Sequence, residues 1–327
     1  MNHRAQAALH ASHGSKVHRF WVRLRAQAWL QVFAAMGLVF MVAFSIVPMF
    51  GIIMAFKKYS INQGIAGIFT SEFVGLKNFR EFFNEYRFPE LLRNTLTLST
   101  LKLVFSFPAP ILLAIMLFEA RSMVVKRFVQ TVSYFPHFIS WIVCYGIAFA
   151  MFSQTTGVVQ DLLMTTGLTQ KTLPFLISPD MFYGMSVFMA IWKSSGWWAI
   201  IFLAAIAGIN PELYEAALVD GAGRLKRIWH VTLPGIKGSI VTVLIISIGS
   251  FLGGGLVGSN FEQSYLFGNQ LNNATSEIIQ TYSFKVGLVH GRFAYATAIS
   301  LIESCVSLFL IFTSNFVAKR LSGTGLF

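Results

Sequence analysis

The chain has 327 residues, of which 55% are hydrophobic and 12% charged, with 33 Phe and a formal net charge of +12. That composition excludes an ordinary soluble domain. Its apolar residues gather in runs longer than the ~20 needed to cross a bilayer. Trp29 to Phe56 and Phe128 to Gln160 contain no Asp, Glu, Lys or Arg. Cys144 and Cys305 fall within apolar segments and read as small hydrophobes, so no disulfide framework is implied. The sequence has no HExxH, no GxxxxGK[ST] and no nucleic-acid-binding signature, so neither a metalloprotease site nor an ATP-hydrolysing site is expected. The expected class is all-α: a polytopic membrane protein with six transmembrane helices.

Residues 1–28 read as a basic N-terminal tail. His3, His10, His13 and His18 lie in it, but without a scaffold to set ligand geometry they favour a solvated basic anchor over a metal site. The first predicted helix, 29–56, is too long for a signal peptide and is expected to stay in the membrane. In the following loop, "VGLKNFREFF" has the spacing of a short interfacial helix. The second helix is predicted at 94–118, with Lys102 about two turns in and able to snorkel. The third is predicted at 128–152. Cations concentrate in the 119–127, 210–237 and 319–327 segments, which places both termini on the cytoplasmic side.

The fourth helix, 182–209, carries Lys193 in "IWKSSGWW", beside Trp192, Trp197 and Trp198. Trp rings suit the apolar faces of sugar rings, and a cation suits a uronate carboxylate. Snorkelling of Lys193 to an aromatic interface is the competing explanation. The fifth helix, 238–259, ends in "GSFLGGGLVGSN". Gly249–Gly253 and Gly254–Gly258 each have the GxxxG spacing that permits close helix packing. The alternative is a broken helix that brings Asn260, Glu262 and Gln263 to a pathway. The sixth, 294–317, holds Glu303 near mid-membrane, where a structural ion pair or hydrogen bond is expected.

Between the fourth and fifth helices lies "ELYEAALVDGAGRLKRIWHVTLP". Asn210 can cap a helix begun by Pro211, and Gly221 and Gly223 break it before a second short helix. The result is a charged helix–turn–helix at the membrane surface. It serves either as an interfacial loop or as a knob for a cytoplasmic partner.

This stretch resembles the EAA loop of permease subunits in binding-protein-dependent ABC importers. Glu215, Ala216, Ala217, Asp220, Gly221, Ala222, Leu233 and Pro234 match the pattern, and Val231 stands where Ile is usual. "YFPHFISW" and "FKVGLVHGRFAYATAISL" are similar to the LplB-like sugar-permease branch. Within it the chain is similar to the first permease subunit of alginate importers.

The resemblance implies the type I importer permease fold, with the transmembrane domain over 29–318 and a C-terminal tail over 319–327. It makes 210–234 the coupling helix that docks, together with Arg224, on an ATP-binding subunit. It implies no cofactor in this chain, ATP and Mg in the partner subunits, and no enzymatic activity here. The implied partners are a second permease, two ATP-binding subunits, a periplasmic solute-binding protein, an oligosaccharide and the lipid bilayer, with no nucleic acid. The substrate expected is an acidic, alginate-like saccharide, with a neutral oligosaccharide as the alternative. Two other classes compete. A proton-coupled secondary transporter would rely on Glu303, the one acid well inside a predicted span, but no inverted repeat is apparent. A membrane-embedded enzyme would need paired catalytic groups that the sequence does not display.

Overall fold

The computed structural model describes residues 25–255, 259–323 and 325–326. The histidines of the basic tail and Gly258 lie outside these residues. Among the described residues there is no strand, and a single isolated bridge joins Lys57 to Phe73.

Four helices are long and apolar enough to cross a membrane: α1 (Ala28–Phe56), α2 (Phe88–Glu119), α5 (Pro179–Ala207) and α10 (Phe293–Ser322). Two bent pairs raise the number to as many as six, when each pair is counted as one span. The first joins α3 (Met123–Phe138) to α4 (Trp141–Phe152) at 111°, and the second joins α7 (Arg224–Gly235) to α8 (Lys237–Gly249) at 63°. The short helices α6 (Pro211–Val219) and α9 (Asn260–Phe267) complete the framework. The loop helix expected after α1 forms over Lys77–Phe83, with Phe82 buried.

The third expected span is therefore not one rod. Pro136 lacks the N–H that would continue a helical ladder. Ile139 and Ser140 are extended, and the Ser140 hydroxyl caps the new helix by accepting from the Val143 amide at 3.4 Å. The fifth expected span also ends early. Gly249 packs closely enough that a Cβ there would meet Ile311 Cδ1 at 3.0 Å, consistent with a packing role for the first glycine pair. Beyond it the helix gives way to a turn in which Gly254 and Gly255 take φ of +97° and +67°. That left-handed backbone favours glycine.

The core runs between α2, α5 and α8, where Ala114, Ala199, Phe202, Ile206, Ile236 and Val243 are buried together. A second cluster joins α4 and α5 through Trp141, Cys144, Phe182 and Met189. α3 meets α5 at Gly196, where a Cβ would fall 2.1 Å from the Ser133 carbonyl oxygen. Only glycine permits that approach.

The bundle end at Phe88, far from the 211–235 segment, is closed by polar links. Glu277 is ion-paired with Arg87, and its Oε1 accepts from Lys285 Nζ at 2.8 Å. Asn94 Nδ2 donates to the Glu277 carbonyl at 2.9 Å, and Tyr183 donates to Asn94 Oδ1 at 2.8 Å. Burial pushes the Glu277 carboxyl up, but Lys285 and Arg87 together outweigh it and hold the group below the usual carboxylate range. A depressed folded value means these pairs stabilise the fold at neutral pH, and the contribution is lost as pH falls through that value.

Candidate functional site

Two regions bring the predicted residues together. The first is the elbow formed by α6 and α7. Asn210 Oδ1 accepts from the Glu212 amide at 3.1 Å, which satisfies an otherwise orphaned donor at the start of α6. At its other end the Gly221 amide donates to the Leu218 carbonyl at 3.0 Å, and the Ala222 amide to the Ala217 carbonyl at 2.8 Å. With Gly221 at φ +71° these bonds form a Schellman cap. Gly221 thus serves the turn itself, while α6 stays outside the core: none of its residues is buried.

The elbow is fixed to the bundle at defined points. Tyr214 Oη and Thr232 Oγ lie 3.1 Å apart and link α6 to α7. The Tyr214 ring meets Phe118 of α2 at 5.6 Å. Arg224 Nε lies 4.0 Å from Glu119 Oε2, so this predicted docking residue also has an intrachain acid. Gly235 sits where a Cβ would meet Ile209 Cδ1 at 2.6 Å, which brings the two ends of the segment together. Glu215 and Asp220 are exposed, Leu233 is half-buried and Pro234 is exposed. Val219, Leu225 and Trp229 present apolar surface beside them.

The second region is a cavity of about 500 Å³ lined by residues of α3 to α5, the glycine turn and α9. Its walls include His137, Trp141, Lys193, Trp198, Gly255 and Glu262. Lys193 is buried rather than snorkelling. Its Nζ donates to the carbonyls of Pro136 at 3.3 Å, His137 at 2.9 Å and Ile139 at 2.7 Å. The ammonium therefore caps the C-terminal end of α3, where unsatisfied carbonyls and the helix dipole both favour a cation. It also lies 5.5 Å from the centre of the Trp141 ring.

The remaining predicted residues divide between wall and scaffold. Trp198 and Glu262 line the cavity. Trp197 stacks on His137 with ring centres 4.6 Å apart, and Trp192 is partly exposed on the helix surface. Asn260 is fully buried, and its Nδ2 donates to Ser99 Oγ at 2.9 Å and to the Leu252 carbonyl at 3.1 Å. Gln263 is fully buried as well, donating from Nε2 to the Ser186 carbonyl at 3.2 Å. Both amides hold helices together rather than reaching the cavity, because their donors are used on neighbouring backbone and side chains.

The other charges inside the spans also depart from expectation. Lys102 does not snorkel: it is 1% exposed. Glu303 borders two grooves beside Gln280 and Ser300, and its Oε1 has no hydrogen-bond partner among the described residues. Sequence reasoning missed the α3–α4 break that makes the cavity wall. Pro136 followed four residues later by the capping Ser140 was the signal that could have revealed it.

Residues 106–323 match the family model described as binding-protein-dependent transport system inner membrane component. Over 304 residues the chain is 44% identical to Protein LplB of Bacillus subtilis (strain 168), covering 93% of this chain and 92% of that protein. It is 40% identical over 312 residues to the polygalacturonan/rhamnogalacturonan transport system permease protein YteP of the same organism, covering 95% and 94%. Among solved structures, it is similar to a chain of a bacterial ABC transporter involved in the import of the acidic polysaccharide alginate. That likeness has a TM-score of 0.83 at 34% identity, covering 93% of this chain and 99% of that one. A second structure of the alginate transporter, in complex with an alginate pentasaccharide-bound periplasmic protein, gives the same TM-score and identity.

Proposed function

This chain belongs to the family of binding-protein-dependent transport system inner membrane components, and we propose that it is a permease subunit importing acidic, uronate-bearing oligosaccharides by alternating access. The observation that carries this reading is the exposed α6–α7 elbow, continuous in the chain with α5 on one side and α8 on the other. A partner that moves the elbow moves two spans with it. ATP hydrolysis, with its Mg, belongs to two ATP-binding subunits in this reading, and a periplasmic binding protein delivers the sugar. Both termini face the cytoplasm, and residues 29–318 form the membrane domain.

A second permease completes the pathway. α1 supports this, since its apolar length is mostly exposed in the isolated chain, and so does the groove along α10. The acidic substrate draws support from relatives named for polygalacturonan and alginate. A neutral-sugar reading rests on a specific observation: Lys193 already spends its ammonium on three carbonyls, and Glu262 lends the same wall a carboxylate.

Uptake by the reconstituted importer, fed by its binding protein, tests the function. ATP-dependent accumulation of uronate oligosaccharides is expected, whereas accumulation driven by a proton gradient without ATP would refute the proposal. Glu215→Lys reverses an exposed charge on α6 and is expected to cut the ATP-binding subunit retained on purification by about tenfold. Unchanged stoichiometry would remove Glu215 from the docking surface.

A further inference from the structure

Lys102 is the most deeply buried charged side chain among the described residues. Its side chain is 1% exposed, and Nζ has no hydrogen-bond partner among the described residues. Burying an amine without a partner is costly, and ionisable groups inside spans usually face a pathway or another polar group. The backbone here is irregular too. Lys102 opens a widened turn over Lys102–Ser106, where the Phe107 amide donates to the Lys102 carbonyl five residues back at 3.1 Å. Pro108 and Pro110 follow, and widened turns of this kind occur often at functional positions.

What lies opposite Lys102 is the glycine turn. A small cavity of about 10 Å³ is lined by Ser99, Lys102, Phe251, Gly254 and Gly255 among others. Gly255 also lines the large cavity that holds Trp198 and Glu262. Among the described residues, Gly255 is the one that the Lys102 compartment and the central cavity share. Asn260 ties the glycine turn to α2, one helical turn before Lys102, through Ser99 Oγ and the Leu252 carbonyl.

We propose that Lys102 is the residue that selects for acidic substrates: its ammonium pairs with a uronate carboxylate admitted past the Gly254–Gly255 turn as the importer cycles. This rests on the acidic-substrate reading above and assigns its specificity to a residue other than Lys193. In this low-dielectric compartment an arriving carboxylate and the Lys102 amine favour each other's charged forms, and their attraction is screened less than at a solvated lysine. Carbonyls occupy Lys193, whereas Lys102 is a buried lysine whose hydrogen-bonding capacity is unused by its described neighbours.

The test uses the complete reconstituted importer with uronate oligosaccharides and carboxyl-reduced oligosaccharides of equal length, each saturating the binding protein. Lys102→Met is expected to lower uptake of the acidic probe about tenfold or more while changing the neutral probe less than about twofold. Lys102→Arg should keep most of the discrimination because the charge remains. The sugar-free Lys102→Met complex should melt no lower than the parent, since the substitution removes an unpartnered buried amine. Equal loss for both probes, no loss for either, or a lowered melting temperature would assign Lys102 to packing and overturn the proposal. Should the parent importer carry the neutral probe but not the acidic one, the acidic-substrate reading fails, and the Lys102 proposal with it. Acidic uptake by the parent without a selective loss in the variant defeats the Lys102 proposal alone.

Discussion

Replacing Gly221 with valine is expected to leave the importer assembled while lowering sugar moved per ATP hydrolysed by about tenfold. The reason lies in the backbone. Gly221 sits at φ +71°, and a Cβ built there meets nothing within 4 Å. No clash arises, so the cost is conformational: roughly 1–2 kcal/mol for an ordinary L-residue in the left-handed region, and more for a β-branched one. The Schellman bonds from Gly221 to Leu218 and from Ala222 to Ala217 depend on that geometry. Their loss would change the angle at which α6 meets α7, while Tyr214 and Thr232 still hold the arms near the bundle. Gly221→Asn supplies the control, because Asn tolerates the left-handed region and should retain coupling. The measurement is the ratio of transport to hydrolysis in proteoliposomes. A normal ratio for the valine variant would mean that the elbow tolerates another path through the turn.

The second large effect is expected at Lys193. Lys193→Met strips a cation from three carbonyls at a helix end and leaves them in a cavity wall. Losing one charged partner of a buried hydrogen-bonded set costs about 2–5 kcal/mol. The sequence alone suggested that this residue grips a substrate carboxylate, in which case acidic uptake would fall more than neutral uptake. The geometry predicts otherwise: both should fall together, with a lower melting temperature. Lys193→Arg should rescue little, because a planar guanidinium differs in shape from a compact ammonium set among three acceptors. Selective loss of acidic transport in Lys193→Met would return this lysine to the substrate pathway. Together with Lys102→Met, the experiment separates a lysine that holds the wall from one that reads the cargo.

These contrasts mark how far the sequence could be read. The helical membrane class, the positions of α1, α5 and α10, and the Asn210–Pro211 start of the elbow are local properties. They follow from runs of apolar residues, from capping chemistry and from glycine and proline placed at turns. The same local reasoning made one rod of residues 128–152, because hydropathy does not register a bend. Pro136 and Ser140 set that bend, and the distant Lys193 stabilises it across 54–57 residues of chain. The glycine run illustrates the limit well. Its spacing suited close packing and a broken helix alike; Gly249 packs on Ile311, whereas Gly254 and Gly255 turn the chain.

The sequence by itself determined what kind of molecule this is: a bundle of membrane helices interrupted by one charged, hinged elbow. Those features depend on composition and short-range pattern. Only the tertiary structure decided what each buried polar residue does. Whether Lys102, Lys193, Asn260 or Gln263 faces a neighbour's carbonyl or a cavity depends on which helix lies opposite. A side chain's partner in a low-dielectric interior is fixed by packing between segments far apart in the chain, and no local pattern encodes it.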